Sequence, residues 1–459
     1  MMQYFCDAAY LDGAGGDAVV TADVLVSAQG ARITAVETGQ TRPAGAQHLR
    51  GLTCPGFANA HSHAFHRALR GRAEKPGTFW TWREEMYALA AALDPDSYRR
   101  LARAVFAEMA LAGFVAVGEF HYLHHGPDGA PYGDANEMGR ALVDAAAGAG
   151  VRLTLLDTCY LERAPGTAAE GVQRRFSDGD VTRWVARAEA LAGAMDASAS
   201  EGARVGAAVH SLRAVPPDAA GTVAAWARAH HAPCHVHVSE QQAENDAVAA
   251  AYGASPVALL DARGVLGAQT TAVHATHVHP AGAGTLGRSG TTVCMCPTTE
   301  RALADGVGPA ALLAREGSPI ALGTDSHAVI DPFEEMRALE LDERLESGER
   351  GRFSTTALLE AGTAAGHRAI GWPEAGRIAP GFLCDLVTVS FSSVRLAGAS
   401  AGSLAEHAVF AASASDVTDV VVSGAPVVAG GRHLLVDDVA RELSTALGEV
   451  WRAAEGAAR

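Results

Sequence analysis

The stretch PGFANAHSHAFHRALRGR runs from Pro55 to Arg72 and places His61 and His63 on either side of one small residue. A third histidine, His66, follows three positions later. Residues two apart in a β-strand point to the same side, so a strand that ends here directs His61 and His63 toward one point. The stretch therefore predicts a pair of metal ligands at the end of a strand, and other strands must supply the rest.

Between about residues 52 and 376, short apolar runs alternate with alanine-rich segments that favour helix. Eight such runs begin at Leu52, Gly113, Val151, Arg204, Ala232, Thr270, Thr291 and Pro319. This alternation is typical of a parallel sheet, and eight βα units are the number in a (β/α)8 barrel. Nearly every run ends in polar residues, at the face where barrel enzymes hold their active sites. We therefore predict an α/β fold with a (β/α)8 TIM-like barrel.

Both ends of the chain are rich in short strands, and we expect them to meet in one small β-sandwich domain. The predicted organisation assigns residues 1–53 and 377–436 to that domain and residues 54–376 to the catalytic barrel. Apolar residues recur with helical spacing after residue 436, so residues 437–459 are predicted as a final helix.

Composition limits the choice of partners. The 459-residue chain has a formal net charge of −16, which disfavours nucleic acids and anionic membranes because both need a basic face. No apolar run is long enough to predict a membrane span, and the first residues lack a secretory pattern. The seven scattered cysteines favour a reducing cytoplasm, and Cys294 and Cys296 fit a buried strand better than a metal site.

Histidines and carboxylates gather at the ends of other predicted strands. They are His210, His235, His237, Glu240, His274, His277 and Asp325, with Arg213 just after the fourth run. His235 and His237 repeat the spacing of His61 and His63, although one of them suffices as a ligand. Imidazoles plus one carboxylate, with a position left for water, form a catalytic type of site that most often holds zinc. His124 and His125 lie in a polar loop and are expected at the surface.

Several motifs carry a resemblance to a known family. Pro55-Gly56 followed by H-S-H, then H-x-H-x-x-E, V-H-A-T-H and G-T-D-S, resembles the amidohydrolase superfamily in its deaminase and chlorohydrolase branch. The resemblance covers essentially the whole chain. More narrowly, HSHAF, FWTWREEMY, EFHYLHH, HSLRAV, HVSEQ and VHATHV occur in the order seen in formimidoylglutamate deiminases of histidine degradation, and they resemble that group.

The resemblance implies roles for individual residues. One divalent ion, usually zinc, is expected on the residues that match the family's ligands, which are His61, His63, His237 and Asp325. Glu240 matches the acid/base glutamate, His274 matches the histidine beside the attacking water, and Asp325 is expected to accept a proton from that water. The residues that match substrate contacts are His66, Arg83, Tyr122, His210 and Arg213. At His66 this chain departs from the family, which usually has glutamine there.

The activity implied is hydrolysis of N-formimidoyl-L-glutamate, a dicarboxylate, to N-formyl-L-glutamate and ammonia. Arg83 and Arg213 suit its two carboxylates, because guanidinium binds carboxylate in a two-pronged fashion. One alternative is a deaminase or chlorohydrolase of a purine, pterin or triazine ring, which has no use for two arginines. Another is a metal-free assembly scaffold, which is expected to have lost at least one ligand. The resemblance is also compatible with a homodimer.

Overall fold

The computed structural model describes residues 1–12, 18–72, 79–198 and 202–457. In chain order its strands are β1 (Met2–Asp12), β2 (Ala18–Gln29), β3 (Arg32–Glu37), β4 (Gln47–Pro55), β5 (Phe57–Ser62), β6 (Phe114–His121), β7 (Arg152–Cys159), β8 (Glu162–Ala164), β9 (Thr167–Ala168), β10 (Ala203–Val209), β11 (Cys234–Val238), β12 (Thr270–His274), β13 (Thr292–Met295), β14 (Ile320–Leu322), β15 (Leu386–Val389), β16 (Val417–Val422), β17 (Ala425–Ala429) and β18 (Arg432–His433).

The helices are α1 (Phe79–Ala92), α2 (Pro95–Ala112), α3 (Glu137–Ala149), α4 (Val181–Ser198), α5 (Pro217–Ala229), α6 (Gln242–Tyr252), α7 (Pro256–Ala262), α8 (Pro280–Ser289), α9 (Pro297–Ala302), α10 (Ala310–Arg315), α11 (Pro332–Ser347), α12 (Thr355–Glu360), α13 (Gly366–Ala369), α14 (Leu404–Ala411) and α15 (Val439–Ala457). The predicted final helix is thus present as α15, which packs against α2. Among the described residues, none of the helices combines the length and apolarity that crossing a bilayer requires.

Eight parallel strands form the sheet that positions the site. Their spatial order is β5, β6, β7, β10, β11, β12, β13 and β14. The last strand returns to the first, because Asp325 N–H donates to His61 O at 3.0 Å and His63 N–H donates to Asp325 O at 3.2 Å. These bonds close the barrel at the carboxyl ends of its strands, and the predicted (β/α)8 barrel is confirmed.

A second sheet joins the two ends of the chain. Its eight strands run in the order β18, β17, β16, β15, β4, β1, β2, β3. The contact between the ends is the antiparallel pair β4 and β15, in which Pro55 lies opposite Leu386. The predicted small β-domain built from both ends is confirmed, and its strands form one continuous hydrogen-bonded sheet.

The first predicted run, which begins at Leu52, is not one barrel strand. Residues 52–55 end β4 in the β-domain, and Phe57 begins β5 in the barrel. Between them, a Cβ at Gly56 would lie 2.5 Å from Cγ2 of Val115. Glycine therefore lets the chain pass from the β-domain sheet to the barrel sheet. The barrel strand β5 that begins there carries His61 near its carboxyl end, and His63 follows it.

The expectation that His124 and His125 lie at the surface is wrong, because their exposed fractions are 1% and 5%. The N–H groups of both residues donate to Arg175 O at 2.9 Å. The Arg175 guanidinium, itself buried, donates to His125 O at 2.9 Å and to Leu93 O at 2.7 Å. Hydrogen bonds thus join the polar loop to Arg175, which lies about fifty residues further along the chain, and the loop is buried.

Candidate metal centre and substrate pocket

Four buried side chains meet at the carboxyl ends of the barrel strands. Asp325 Oδ1 lies 3.3 Å from His61 Nε2 and 3.3 Å from His63 Nε2. His237 Nε2 lies 3.1 Å from His61 Nε2. The donor atoms of His61, His63 and Asp325 all lie within 4.8 Å of one another. The structure therefore brings together the four residues that the resemblance implied as ligands, which we call the metal-donor cluster.

The backbone is strained where the strands end at this cluster. Asp325, His274 and Ser239 have φ values of 42°, 70° and 52°, in the left-handed region that non-glycine residues seldom adopt. Such residues persist only where surrounding contacts hold them, and they concentrate at functional sites. For Asp325 the holding contacts are the two barrel-closing hydrogen bonds to the His61–His63 segment.

Hydrogen bonds orient two of the imidazoles. His63 Nδ1 donates to Phe120 O at 2.9 Å, and His237 Nδ1 donates to His210 O at 2.8 Å, so the Nε2 lone pairs face the cluster. Burial lowers the pKa of His63 to about 3 and lowers the pKa values of His61 and His237 well below the usual value. Neutral imidazole is the form that binds metal. Lone pairs that face one another and a carboxylate suit a divalent cation.

The carboxyl group of Glu119 connects the chain segments that carry the donors of the cluster. Glu119 Oε2 accepts from Ser62 Oγ at 2.5 Å, and Glu119 Oε1 accepts from Ala64 N–H at 2.6 Å. Ser62 Oγ also lies 3.2 Å from Nε2 of His327, whose Nδ1 lies 2.8 Å from Thr324 Oγ1. Burial raises the pKa of Glu119 to about 8. This network links the His61–His63 segment to the Asp325 segment.

His274 lies among three carboxylates. Its Nε2 is 3.9 Å from Asp325 Oδ2 and 4.0 Å from Glu240 Oε1, and its Nδ1 is 3.4 Å from Glu300 Oε1. Burial lowers the pKa of His274, but the hydrogen bond with Glu300 and the charges of Glu240 and Asp325 outweigh it and raise the pKa to about 10. Glu240 Oε2 accepts from Arg213 Nη2 at 2.8 Å. Glu240 is thereby oriented with its other oxygen toward His274.

A cavity of about 720 Å³ opens from the cluster. The residues that the resemblance implied as substrate contacts all line it, namely His66, Arg83, Tyr122, His210 and Arg213. Further polar residues line the cavity without a role predicted from the sequence, namely Tyr160, Arg163, Thr167, Glu170 and Gln173. They follow β7 in a segment whose sequence carries no strand-end motif, so nothing in the pattern marked them.

His66 and Arg83 have defined settings in the cavity wall. His66 Nε2 lies 2.8 Å from the Tyr122 hydroxyl, and the centroid of the His66 ring lies 5.0 Å from that of Trp82. The Arg83 guanidinium lies 4.4 Å from the centroid of the Trp80 ring and 5.4 Å from that of Tyr87. Stacking on aromatic faces keeps a guanidinium in place without neutralising its charge.

His235 takes no part in the cluster. Its ring is fully buried, and its Nε2 lies 2.8 Å from Ala369 O. Of the two histidines on β11, His237 therefore belongs to the metal-donor cluster and His235 does not. Cys294 and Cys296 are buried with free thiols, and Cys294 lies on β13, as the buried-strand interpretation predicted.

The profile of the Amidohydrolase family matches residues 52–427. The chain belongs to the amidohydrolase family.

Among relatives of this amidohydrolase, the formimidoylglutamate deiminase of Pseudomonas aeruginosa is 38% identical over 419 residues, which cover 88% of this chain and 91% of the relative. A 5-methylthioadenosine/S-adenosylhomocysteine deaminase of Natronomonas pharaonis is 29% identical and covers 95% of this chain and 96% of its own length. The crystal structure of an amidohydrolase from Brucella melitensis is 34% identical, has a TM-score of 0.90, and covers 98% of this chain and 100% of its own. The resemblance inferred from the motifs is confirmed.

Proposed function

We propose that this amidohydrolase hydrolyses N-formimidoyl-L-glutamate to N-formyl-L-glutamate and ammonia, as a step of histidine degradation. The observation that carries the proposal is that Arg83 and Arg213 line the cavity that opens from the metal-donor cluster. Two guanidinium groups suit a dicarboxylate, because each can bind one carboxylate with paired hydrogen bonds. The name of the Pseudomonas aeruginosa relative points to the same substrate.

We infer that His61, His63, His237 and Asp325 hold one divalent ion, and that zinc suits this set of imidazole and carboxylate donors. When bound, such an ion polarises the group under attack and makes hydroxide available near neutral pH. The fit rests on neutral imidazoles with converging lone pairs and on the carboxylate 3.3 Å from two of them.

Glu240 is the acid/base residue in this proposal. The reaction adds the oxygen of water to the formimidoyl carbon and breaks that carbon's bond to the terminal nitrogen. That nitrogen must gain two protons in all to leave as ammonia. Arg213 holds Glu240 Oε2 at 2.8 Å, so Oε1 is the oxygen placed to deliver protons toward the cavity. General acid/base catalysis of this kind contributes about 10²–10⁴-fold to the rate.

His274 and Asp325 act on the attacking water in this proposal. Asp325 Oδ2 is placed to accept a proton from the attacking water. His274 Nε2, between Asp325 and Glu240, is placed to donate a hydrogen bond to the oxygen on which charge develops. The three side chains thus form a short path for protons from the attacking water to the departing nitrogen.

The remaining lining residues bind the substrate in this account. Arg83 reaches the cavity from α1 and Arg213 from the loop after β10. Tyr122 and His210 offer additional polar contacts beside them. His66 holds the Tyr122 hydroxyl at 2.8 Å, so the histidine that replaces the family's usual glutamine orients a neighbouring contact. A homodimer stays a prediction.

The test is ammonia release by the metal-loaded protein from N-formimidoyl-L-glutamate, with guanine and N-formyl-L-glutamate as comparison substrates. We expect release from the first compound alone. Release from guanine alone would instead support the alternative, a deaminase of a ring substrate. The name of the Natronomonas pharaonis relative, a 5-methylthioadenosine/S-adenosylhomocysteine deaminase, points toward that alternative. The variant Arg83→Met tests whether Arg83 binds a substrate carboxylate. Loss of that contact is expected to raise KM for the dicarboxylate about tenfold or more.

A further inference from the structure

Glu300 lies directly behind His274, on the side away from the cavity's reacting groups. It belongs to the first turn of α9, and only 4% of its surface is exposed. Its Oε1 accepts from Cys296 N–H at 2.9 Å and lies 3.4 Å from His274 Nδ1. One carboxylate oxygen therefore contacts both a backbone N–H at the start of α9 and the imidazole of His274.

The His274 ring has little freedom of its own. It is 1% exposed, it ends β12, and its φ of 70° lies in the left-handed region, where surrounding contacts must hold a residue other than glycine. Nδ1 must carry a proton to donate to Glu300. Nε2 is then the atom that faces Glu240 and Asp325, at 4.0 Å and 3.9 Å. A carboxylate that accepts from one imidazole nitrogen keeps the proton on that nitrogen and fixes the ring orientation in this way.

We propose that Glu300 is a positioning residue, which holds the proton on His274 Nδ1 and aims His274 Nε2 at the reaction space. Its effect on turnover rests on the proposed function, whereas its effect on the His274 Nδ1 proton does not. Glu300 itself touches no reacting atom in this account. It acts through His274, much as a buried carboxylate orients the histidine of a hydrolytic triad.

A simpler role for Glu300 is to stabilise the start of α9, where a carboxylate is favoured by the helix dipole. The chain offers a matched control for that role. Glu335, on α11, is 1% exposed and accepts from Thr298 N–H at 3.1 Å and from Thr298 Oγ1 at 2.5 Å. It thus also holds the first turn of α9, but its hydrogen-bond partner there is Thr298, not His274.

The experiment compares Glu300→Gln with Glu335→Gln. Each is measured for kcat and KM with N-formimidoyl-L-glutamate, for zinc per chain, and by long-range 15N–1H correlation spectra of protein labelled in histidine. His274→Asn assigns the His274 signals. For Glu300→Gln we expect kcat to fall about 10–100-fold, KM to stay within about twofold, and zinc content to be unchanged. We also expect its His274 Nδ1 signal to shift away from that of a protonated nitrogen held by a carboxylate.

Glu335→Gln is expected to match the wild type in kcat and in the His274 spectrum. Glu300→Asp, which keeps the charge at the helix start but draws the carboxylate back from Nδ1, is expected to lower kcat as Glu300→Gln does. A Glu300→Gln protein with wild-type kcat and wild-type His274 signals would overturn the proposal, as would an equal loss in Glu335→Gln. If the wild type releases no ammonia from this substrate, the proposed function fails, and the His274 spectra alone still decide the role of Glu300.

Discussion

Two buried polar clusters lie near the carboxyl ends of the barrel strands, and they handle charge in opposite ways. In the first, which we call the arginine cluster, Arg187 donates to both oxygens of Asp157 at 2.6 and 2.9 Å and to both oxygens of Asp178 at 2.9 Å. His125 Nε2 adds a contact to Asp178 at 3.1 Å. In the metal-donor cluster, electron-pair donors face one another instead, with Asp325 Oδ1 3.3 Å from two imidazole Nε2 atoms.

The difference distinguishes a cluster that is neutralised within the protein from one that we propose binds an ion. A buried carboxylate is stable when a guanidinium and hydrogen bonds neutralise it, as Arg187 does for Asp157 and Asp178. Such a cluster has no need of a ligand. In the metal-donor cluster no guanidinium contacts Asp325 among the described residues, and His274 Nε2 is 3.9 Å from Asp325 Oδ2. We propose that a bound cation completes this cluster. Both clusters contain buried histidines and aspartates, and the guanidinium is what tells them apart.

The largest expected effect is on turnover, from Asp325→Asn. We expect kcat/KM to fall by about 10³-fold or more, because the change removes both a proposed metal ligand and the proposed proton acceptor. Stability of the metal-free protein should hold, since a buried carboxylate without a guanidinium partner has been removed. Turnover and urea unfolding check the two statements. Asp157→Asn, in the arginine cluster, is the matched change, and we expect the opposite pattern. Its free energy of unfolding should fall, and its kcat/KM should stay close to that of the wild type.

The next effect is on stability, from Arg187→Met. Removing the guanidinium leaves Asp157 and Asp178 buried and unpaired, so the free energy of unfolding should fall by about 3–5 kcal/mol. Arg183→Met is the control on the same helix, because Arg183 is largely exposed and solvent screens its ion pair with Asp180. Chemical denaturation of both variants gives the comparison. Equal stability of the two would mean that the arginine cluster contributes nothing.

A smaller effect is expected on zinc affinity, from Ser62→Ala. The change removes the hydroxyl that joins Glu119 to His327, so the segments carrying His61 and Asp325 are held less firmly. Loss of such an outer contact lowers metal affinity by about 10–100-fold. Competition with a chelator measures it. Ser289→Ala, at the end of α8, should bind zinc as the wild type does, and a similar loss there would contradict the account.

The smallest effect concerns acid stability. Burial raises the pKa of Asp178, but hydrogen bonds from His125 and Arg187 outweigh it and hold the pKa below its usual range. A carboxyl whose folded pKa lies below its unfolded value of about 3.9 stabilises the fold above that pH, and the contribution is lost as pH falls.

We therefore expect the stability advantage of the wild type over Asp178→Asn to shrink by about 1 kcal/mol between pH 6 and pH 3. Unfolding by urea in metal-free protein at both pH values is the measurement. An advantage that stays constant would show that Asp178 has an ordinary pKa in the folded protein.

The barrel, and the gathering of histidines and an aspartate at its mouth, could be predicted because both depend on local patterns. The choice of His237 over His235 came from the resemblance to the family. Alternating strands and helices indicate a barrel, and polar residues at strand ends face its mouth wherever the strands are parallel. The passage from β4 to β5 was missed, because the close approach of Gly56 and Val115 depends on how the two sheets pack.

Residues that act through distant contacts were also missed. Glu119 and Glu300 lie 57 and 26 positions from the partners Ser62 and His274 that give them a role. In the sequence, Arg187 looks like any other arginine of a helix. Only the folded chain brings α4 against β7 and pairs Arg187 with Asp157. His124 and His125 were misplaced for the same reason, because their burial depends on Arg175, which follows them by about fifty residues. Sequence spacing carries no signal for pairings of this kind.

The most direct test of the central claim is a titration of zinc into chelator-stripped protein, with bound zinc and ammonia release from N-formimidoyl-L-glutamate followed together. If His61, His63, His237 and Asp325 hold one catalytic ion, release should rise in proportion to bound zinc and level off at one equivalent per chain. Full turnover by the stripped protein, or turnover that keeps rising to two equivalents, would contradict the account.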